Sequence, residues 1–363
     1  MTLTTGTKRK LMAGVTITTM AMLFGSVYAL VFDTPHTLCD HAPKWHSILT
    51  GLFTGLFAGI AFSLGELYLF QSRLRRLPFS AFLAAQTLYY LAVTYVSALG
   101  VLSLEQVVLH DRTFVESFQS TPFTVFYQQG FLKVGPYALV VIFAVNFLRQ
   151  VNRMLGQNML LDFFIGKYHK PVEERRVFMF LDLNASTTMA EKLGPKRYHQ
   201  LLDDFFYDIT PAILESRGEI YQYVGDEVVV TWAKDRGLRG AKCINCYFRM
   251  VAAIAEVDDN YERKYGFVPR FKAGFHYGTV VAGLSGDIKR NLVFHGDAVN
   301  TAARIRSECT TANRPLLLSG DLLKLLSVTN QLTTENMGRI KLRGKEEEIV
   351  LFAIKEAPVD LTA

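Results

Sequence analysis

Cysteine is scarce in this sequence, with four among 363 residues, and nothing in their placement indicates a disulfide scaffold. Cys243 and Cys246 form a single Cys-x-x-Cys motif. A zinc site would need a second pair of ligands at suitable spacing, and none follows. Free cysteine packs as a small hydrophobic side chain. The sequence therefore predicts that these two cysteines lie on the buried side of a helix.

A large excess of charge is also missing, since the formal net charge is only +6. The lysine and arginine residues cluster beside apolar segments, which argues against nucleic acid as a partner. Positive loops beside membrane segments explain the clusters better. Long polar loops are missing from the N-terminal part as well. The loops at 33–45 and 103–129 are too short to hold an independent sensor domain.

Long apolar segments are abundant before residue 149. Four of them are long enough to cross a bilayer core of about 30 Å, which takes roughly 20 residues: 11–32, 48–70, 79–102 and 131–148. Basic residues flank these segments on one side if all four cross, so a multi-pass protein of the inner or plasma membrane with both termini in the cytoplasm is predicted. These residues are Lys8, Arg9, Lys10, Arg73, Arg75, Arg76, Arg149 and Arg153.

The sequence thus predicts three parts: a transmembrane region with four helices over 1–148, a cytoplasmic linker helix over 149–171, and a folded domain over 172–358. Pro171 ends the linker helix, because the residue before a proline disfavours the helical conformation. Glu66 lies near the end of the second apolar segment. It either reaches the membrane interface or has a functional role within the membrane.

Strands and helices alternate in the C-terminal half, but hairpins interrupt the parallel pattern. This arrangement predicts an α+β sandwich with a ferredoxin-like core, preceded by the all-α membrane region. Strands are expected at 177–183, 220–224, 227–232, 271–277, 279–284, 316–318, 338–342 and 349–354, and helices at 185–193, 198–215, 240–265, 298–308 and 320–326.

Two acidic residues interrupt apolar, β-prone stretches in this half. Asp182 lies in FMFLDLN at 178–184, and Asp226 lies in IYQYVGDEVVV at 220–230. A buried carboxylate is costly unless a cation or hydrogen bonds compensate it. Two carboxylates on neighbouring strands can hold a pair of hard divalent ions. Such ions can in turn hold a triphosphate.

A third motif follows at 294–304, FHGDAVNTAAR. Together the motifs resemble the class III nucleotidyl cyclases, the adenylate and guanylate cyclase family. The resemblance covers roughly 172–355, about half of the chain. It depends on an ordered set of segments: the strand of Asp182, the Gly225-Asp226 turn, FKAGFHYG at 271–278, the stretch from Gly296 to Arg304, and LRGK at 342–345.

The resemblance implies a role for each matching residue. Two divalent cations, Mg or Mn, would be held by Asp182, Asp226 and the backbone carbonyl of Leu183. The triphosphate would lie on the backbone of Asn184, Ala185, Ser186 and Thr187, because helix N-termini suit anions. Asn300 and Arg304 match the pair that acts in the transition state. Arg343 matches a basic residue that holds the phosphates, with Lys345 as the alternative. The family places its sites between two domains, so a head-to-tail homodimer is expected.

Two positions that would contact the base depart from the family pattern. Many adenylate cyclases place Lys where this chain has Gln222, four residues before the second aspartate and near Gly225. Their adenine-reading Asp or Thr matches Val293. The Glu and Cys that are common in guanylate cyclases are absent from these positions too. Gln222 can both donate and accept, and so can read either purine. ATP is favoured, with GTP possible, because the guanine-selecting acid is missing.

The expected activity is therefore that of a membrane adenylate cyclase in signal transduction, which converts ATP to 3′,5′-cyclic AMP and pyrophosphate. A guanylate cyclase, or an enzyme with mixed purine specificity, is an alternative. The Val224 to Glu227 segment also resembles the acidic hairpin of diguanylate cyclases, but that family does not explain the Asn300 to Arg304 motif. A silent membrane sensor that binds nucleotide and signals by dimerisation is the alternative without catalysis.

Overall fold

The structure is a computed structural model, and it describes residues 5–31, 44–70, 74, 77–110, 113–123, 131–156, 159–326 and 333–356. The chain divides into two compact units, Met1–Met154 and Leu155–Ala363. We call them the helical unit and the catalytic unit.

The helical unit contains five α-helices within the described residues: α1 (Thr5–Val31), α2 (Lys44–Gly65), α3 (Phe79–His110), α4 (Phe114–Phe123) and α5 (Phe131–Leu155). A π-helical turn, Glu66–Phe70, extends α2. Gly55 and Gly59 of α2 face α1 so closely that an added Cβ would overlap the backbone of Ala21 or Thr18. Small residues four apart let two helices approach in this way.

Two helical stretches, Ile48–Phe70 and Phe79–Glu105, are long and apolar enough to cross a membrane. Only 22% of either stretch's most apolar window is buried in the protein, so most of its apolar surface is exposed. The first and fourth predicted spans coincide with shorter apolar helical segments, Gly14–Val27 and Ala138–Asn152. The structure therefore supports two of the four predicted spans. The basic residues Arg73, Arg75 and Arg76 lie outside the described residues.

The catalytic unit is built on a mixed sheet of eight strands. In spatial order the main path is β2-β3-β1-β4-β6-β8-β7, and β5 pairs with β4 beside this path. The described pairings are antiparallel except for β4 with β6. The strands are β1 (Val172–Leu183), β2 (Glu219–Val224), β3 (Glu227–Ala233), β4 (Phe271–Ser285), β5 (Asn291–His295), β6 (Leu316–Ser319), β7 (Thr333–Ile340) and β8 (Ile349–Glu356).

Helices cover both faces of this sheet. The helices of this unit are α6 (Met159–Phe164), α7 (Ser186–Glu215), α8 (Lys234–Leu238), α9 (Lys242–Ala255), α10 (Asp258–Tyr265), α11 (Asp297–Thr311) and α12 (Gly320–Leu325). Successive side chains of β1 point to opposite faces. Leu181 belongs to the same buried cluster as Phe205 of α7, whereas Phe180 belongs to the cluster of Ala302 in α11. The sheet is therefore the middle layer between α7 and α11.

The α+β fold and the hairpin of β2 and β3 agree with the sequence prediction. Several details differ, and one is that the helices predicted at 185–193 and 198–215 form the single α7 with a kink at Gly194. The two strands predicted at 271–284 form one continuous strand, β4, and β5 was not predicted. The helix predicted at 240–265 is divided, because Ala255 ends α9 and α10 begins at Asp258. Residues 149–171 hold the end of α5, the short α6 and turns, rather than one continuous helix.

Cys243 and Cys246 lie on α9 and are fully buried as free thiols, as the sequence predicts. Burial raises the pKa of each thiol to about 12. Both thiols are therefore protonated at neutral pH, and they serve the core instead of a metal site.

Candidate active site

Asp182 and Asp226 come together at one end of the sheet. Asp182 is the penultimate residue of β1, and the strand register places it opposite Glu227 of β3. Val224 pairs with Glu227, so Gly225 and Asp226 form a two-residue turn between β2 and β3. Gly225 has φ +64°, a conformation that glycine adopts without steric cost. This tight turn holds Asp226 beside the end of β1.

Basic side chains surround these carboxylates. The Oδ2 atom of Asp182 accepts a hydrogen bond of 3.1 Å from Nη1 of Arg306. The Nζ atom of Lys272 lies 3.6 Å from the same oxygen. The other terminal nitrogen of Arg306, Nη2, lies 2.7 Å from Oε2 of Glu227. Arg306 therefore bridges an acid of β1 and an acid of β3.

The Oδ2 atom of Asp226 is buried and has no hydrogen-bond partner. The Oε2 atom of Glu227 also lacks a hydrogen bond, but it has the guanidinium of Arg306 2.7 Å away. Burial raises the pKa of Asp182, an effect that Arg306 opposes and the carboxylate of Asp226 strengthens. Buried polar atoms are nearly always paired, so an orphaned carboxylate oxygen beside a second carboxylate is a place for a cation. Hard divalent ions fit this oxygen-rich donor set. Among the described residues, no three His, Cys, Asp or Glu side chains gather as a larger metal cluster.

The turn after β1 presents backbone N–H groups. The amide of Asn184 donates to the carbonyl of Arg270 at 2.8 Å. Ala185 has left-handed dihedral angles, φ 54° and ψ 32°, and its side chain provides no cap for α7. The first N–H groups of a helix lack intrahelical partners and favour anions. The segment from Ser186 to Thr187 can therefore bind a phosphate through its backbone.

A second cluster lies on the other side of α11. Asn300 is exposed and Arg304 is half-buried. Gly344 follows β7 with φ +70°, and an added Cβ there would lie 3.3 Å from Nη2 of Arg304. Lys345 forms an ion pair with Asp297, with 2.5 Å between Nζ and Oδ2. Asn300, Arg304 and Lys345 thus share one surface.

The two clusters face in different directions. Arg304 and Arg306 are two residues apart on α11, which turns their side chains about 200° from each other. Gly274 of β4 sets this orientation, because an added Cβ would overlap the backbone of Arg306. Within one chain, the carboxylates therefore lie beside the face of α11 that carries Arg306, whereas Asn300 and Arg304 lie on another face of this helix.

The two candidate base-reading residues lie on different strands. Gln222 is exposed on β2, and Val293 is half-buried on β5. Their neighbours connect the strands, since the Phe294 amide donates to the Tyr221 hydroxyl at 3.4 Å. The rings of Tyr221 and Phe294 are 5.0 Å apart between centroids.

Of the remaining predicted residues, Leu183 is buried and pairs with Phe271 in the ladder of β1 and β4. Arg343 is exposed, whereas Lys345 is partly buried by its ion pair. The side chain of Lys345 therefore has the more defined position of these two basic residues.

Sequence reasoning missed four residues that contact or surround the carboxylates: Lys272, Glu227, Arg306 and Tyr198. Lys272 interrupts an apolar strand, which was a readable signal. Arg306 follows the Asn-x-x-x-Arg motif by two positions and gave no signal without the helix geometry. Burial raises the pKa of Tyr198, and the nearby carboxylate of Asp226 adds to this rise.

Comparison with known proteins identifies the catalytic unit. The family model of the adenylate and guanylate cyclase catalytic domain matches residues 168–356, just over half of the chain. This chain belongs to that family. The resemblance seen in the motifs is thereby confirmed.

Two curated relatives are adenylate cyclases by name. Adenylate cyclase 2 of Rhizobium meliloti (strain 1021) is 36% identical over 223 residues, which are 61% of this chain and 61% of the relative. The adenylate cyclase of Anabaena cylindrica is 28% identical over 188 residues, 50% of this chain and 37% of the relative. The chain thus spans less than two thirds of the length of either relative.

A solved structure supports the fold. The structure of a bacterial light-regulated adenylyl cyclase is 20% identical and has a TM-score of 0.54, covering 65% of this chain and 70% of that one. At this identity the likeness concerns the arrangement of strands and helices.

Proposed function

We propose that this protein is an adenylate cyclase that converts ATP to 3′,5′-cyclic AMP and pyrophosphate. The observation that carries the proposal is the pair of half-buried carboxylates, with one buried oxygen of Asp226 left without a partner. Membership of the cyclase family and the 36% identity to Adenylate cyclase 2 of Rhizobium meliloti support it.

Backbone groups and side chains of the site each have a role in this reaction. Within the predicted segment from Asn184 to Thr187, the backbone N–H groups of Ser186 and Thr187 bind the triphosphate at the start of α7, because the amide of Asn184 already donates to Arg270. Lys345, or Arg343 beside it, holds the phosphates by charge. Asn300 orients the ribose so that its 3′ oxygen lies in line with the α-phosphorus. Arg304 neutralises the negative charge that develops on the transferring phosphoryl group.

Asp182, Asp226 and the carbonyl of Leu183 would hold two divalent cations, Mg or Mn. When bound they supply Lewis acidity, which lowers the pKa of the attacking hydroxyl and neutralises the phosphates. The protein residues hold the carboxylates in place for them through the turn at Gly225 and the ladder of β1 and β3.

The complete site is proposed to form between two chains arranged head to tail. The carboxylates and the Asn300 and Arg304 pair point away from different faces of α11, so one chain does not bring them to a common point. In a twofold dimer the carboxylates of one chain can face Arg304 of its partner. Two equivalent sites result.

A second candidate function differs from the first in the purine base that the enzyme accepts. Gln222 and Val293 match neither the usual adenine-reading pair nor the usual guanine-reading pair. An amide donates and accepts, so Gln222 serves either purine. Mixed ATP and GTP use is therefore the second candidate, and ATP is preferred because the guanine-selecting acid is missing.

The helical unit is proposed to anchor the enzyme in a bilayer with four spans and a cytoplasmic catalytic unit. Two helices have the length and apolar surface that this requires. The orientation follows from the basic residues beside the apolar segments. Fusion of a reporter enzyme after each apolar segment tests the topology.

The experiment that tests the activity is turnover of labelled ATP and GTP by the purified full chain with Mg²⁺ or Mn²⁺. Cyclic AMP is the expected product, with less cyclic GMP. Absence of both products, with intact nucleotide binding, would favour the silent sensor. A linear or cyclic dinucleotide product would favour a diguanylate cyclase.

Complementation tests the shared site. Asp182→Ala and Arg304→Ala should each be inactive, and an equal mixture should recover about a quarter of wild-type activity. Random pairing makes half of the dimers mixed, and each mixed dimer has one intact site of two. No recovery, although mixed dimers are shown to form, would contradict a site between chains.

A further inference from the structure

Arg306 lies at the centre of the carboxylate cluster, which we define as Asp182, Asp226 and Glu227. Its Nη1 atom donates to Asp182 at 3.1 Å, and its Nη2 atom lies 2.7 Å from Glu227. Asp182 is only 15% exposed and Glu227 12% exposed. The guanidinium therefore neutralises two acids that have little water to stabilise them.

The two basic neighbours of this cluster are held differently. Lys272 is 3.6 Å from Asp182 and also donates to the Thr310 hydroxyl at 2.8 Å, so its ammonium group is shared between an acid and a neutral acceptor. The Nε atom of Arg306 is buried and has no hydrogen-bond partner. Arg306 is therefore held at its two terminal nitrogens by the acids themselves, as a bridging cation.

Arg306 and the proposed divalent cations would therefore both neutralise the half-buried carboxylate of Asp182. Two cations that share one carboxylate repel each other, and in a partly buried site this repulsion is larger than in water. A cation that is fixed to the protein therefore lowers the affinity of the site for a second one.

We propose that Arg306 is an internal counter-ion of the carboxylate cluster, which stabilises the metal-free fold and weakens metal binding at Asp182 and Asp226. The inference rests on the proposed metal site. Arg306 acts through the carboxylates, so it is a positioning residue.

Mn²⁺ binding to the purified full chain without nucleotide, followed by electron paramagnetic resonance of free Mn²⁺, tests the inference. Arg306→Gln should tighten the Kd by at least about fivefold at low ionic strength. Its Tm in EDTA should fall by about 2–8 °C, because the acids lose their counter-charge. Added Mn²⁺ should raise the Tm of Arg306→Gln more than that of the wild type.

Matched variants separate charge from packing. Arg306→Lys keeps the charge but loses the two-pronged contact with both acids, so its Kd should lie between those of the wild type and Arg306→Gln. Arg314→Gln removes another half-exposed arginine of this unit that pairs with Glu335 at 3.0 Å, and should leave the Kd unchanged. Glu227→Gln removes one negative charge from the cluster and leaves Arg306 paired with Asp182 alone, and both effects should weaken Mn²⁺ binding.

Asp182→Asn distinguishes failure of the inference from failure of the proposed metal site. If Asp182→Asn removes a Mn²⁺ site but Arg306→Gln binds Mn²⁺ no more tightly than wild type, the counter-ion role is wrong and the metal site stands. If Asp182→Asn removes no Mn²⁺ site, the metal assignment is wrong and the inference falls with it. If Arg306→Gln is too unstable to purify, the Kd of Arg306→Lys decides, and Mn²⁺ binding no tighter than in the wild type overturns the inference.

Discussion

Glu66 in the helical unit and Asp226 in the catalytic unit are both acids with little solvent contact, but their surroundings differ. Glu66 is 3% exposed. Its Oε2 atom accepts from Nε2 of Gln86 and from the hydroxyl of Tyr90, each at 2.9 Å, and its Oε1 atom lies 3.3 Å from Arg149. Asp226 has a buried oxygen without any partner.

This difference separates a structural role from a binding role. A fully hydrogen-bonded buried acid fixes the helices that supply its partners, here α3 and α5. An acid that is left incompletely satisfied costs stability unless a ligand completes it. Glu66 is thus buried among residues of α3 and α5.

The largest expected effect comes from replacing Asp226, the acid whose hydrogen bonding is incomplete. Asp226→Asn should lower turnover by at least about 10³-fold, because loss of a metal ligand removes several kcal/mol of transition-state stabilisation. The Tm without metal should stay the same or rise, since a buried unpaired charge disappears. Turnover and thermal unfolding of one preparation measure both. Wild-type-like activity with Mg²⁺ would contradict the metal assignment.

Replacing Glu66, the fully hydrogen-bonded acid, should lower stability and leave turnover nearly unchanged. Glu66→Ala leaves Gln86, Tyr90 and Arg149 without their common acceptor, which should lower the free energy of unfolding by about 2–4 kcal/mol. Turnover per folded molecule should change little at low temperature. Calorimetry of the chain in nanodiscs provides the measurement.

Glu66→Gln is the matched control, because its amide oxygen can still accept from Gln86 and Tyr90. It should cost about 1 kcal/mol. If Glu66→Ala is as stable as the wild type and turnover falls instead, then Glu66 serves function and the contrast with Asp226 does not hold.

The acids of the two units also show what the sequence could predict. Asp182 and Asp226 are recognisable because each interrupts an apolar run, and Gly225 indicates the tight turn that places Asp226. The role of Glu66 could not be read, because its partners lie 20 to 83 positions away and depend on helix packing. Arg306 was missed for the same reason. Its direction depends on how closely α11 approaches Gly274.

His276 shows that the catalytic unit also contains a satisfied polar group. Its Nδ1 atom lies 2.8 Å from the hydroxyl of Ser319, which also accepts from the amide of Leu322. The hydroxyl can donate to a neutral imidazole. Burial lowers the pKa of His276 to about 4, and Lys345 adds to this shift while Asp321 and Asp297 oppose it.

This pKa predicts how stability depends on pH. The unfolded chain binds a proton near pH 6.5 and the folded chain only near pH 4, so the contribution of His276 is complete above pH 6.5 and is lost as pH falls to 4. The loss should reach about 3 kcal/mol. His276→Gln should flatten the dependence of Tm on pH in this window. An unchanged slope would mean that His276 has the same pKa in the folded and the unfolded chain.

The smallest expected effect concerns the choice of base, because neither Gln222 nor Val293 is fully buried. Gln222→Lys with Val293→Asp would restore the usual adenine-reading pair, and should raise the preference for ATP over GTP by about tenfold. A pocket that hydrogen-bonds one base leaves polar groups unpaired against the other. The exposed Gln222 and the apolar Val293 provide less of this discrimination in the wild type.

The ratio of kcat/KM for ATP to that for GTP in both proteins measures this effect, with the single substitutions as controls. Val293→Asp alone should lower activity with both nucleotides, because its carboxylate lacks the lysine that accompanies it in the usual pair. A wild type that already prefers ATP strongly, with a ratio that the double substitution leaves unchanged, would show that other residues near Tyr221 and Phe294 read the base. The specificity would then depend on the contact of β2 with β5, which the ring pair at 5.0 Å defines.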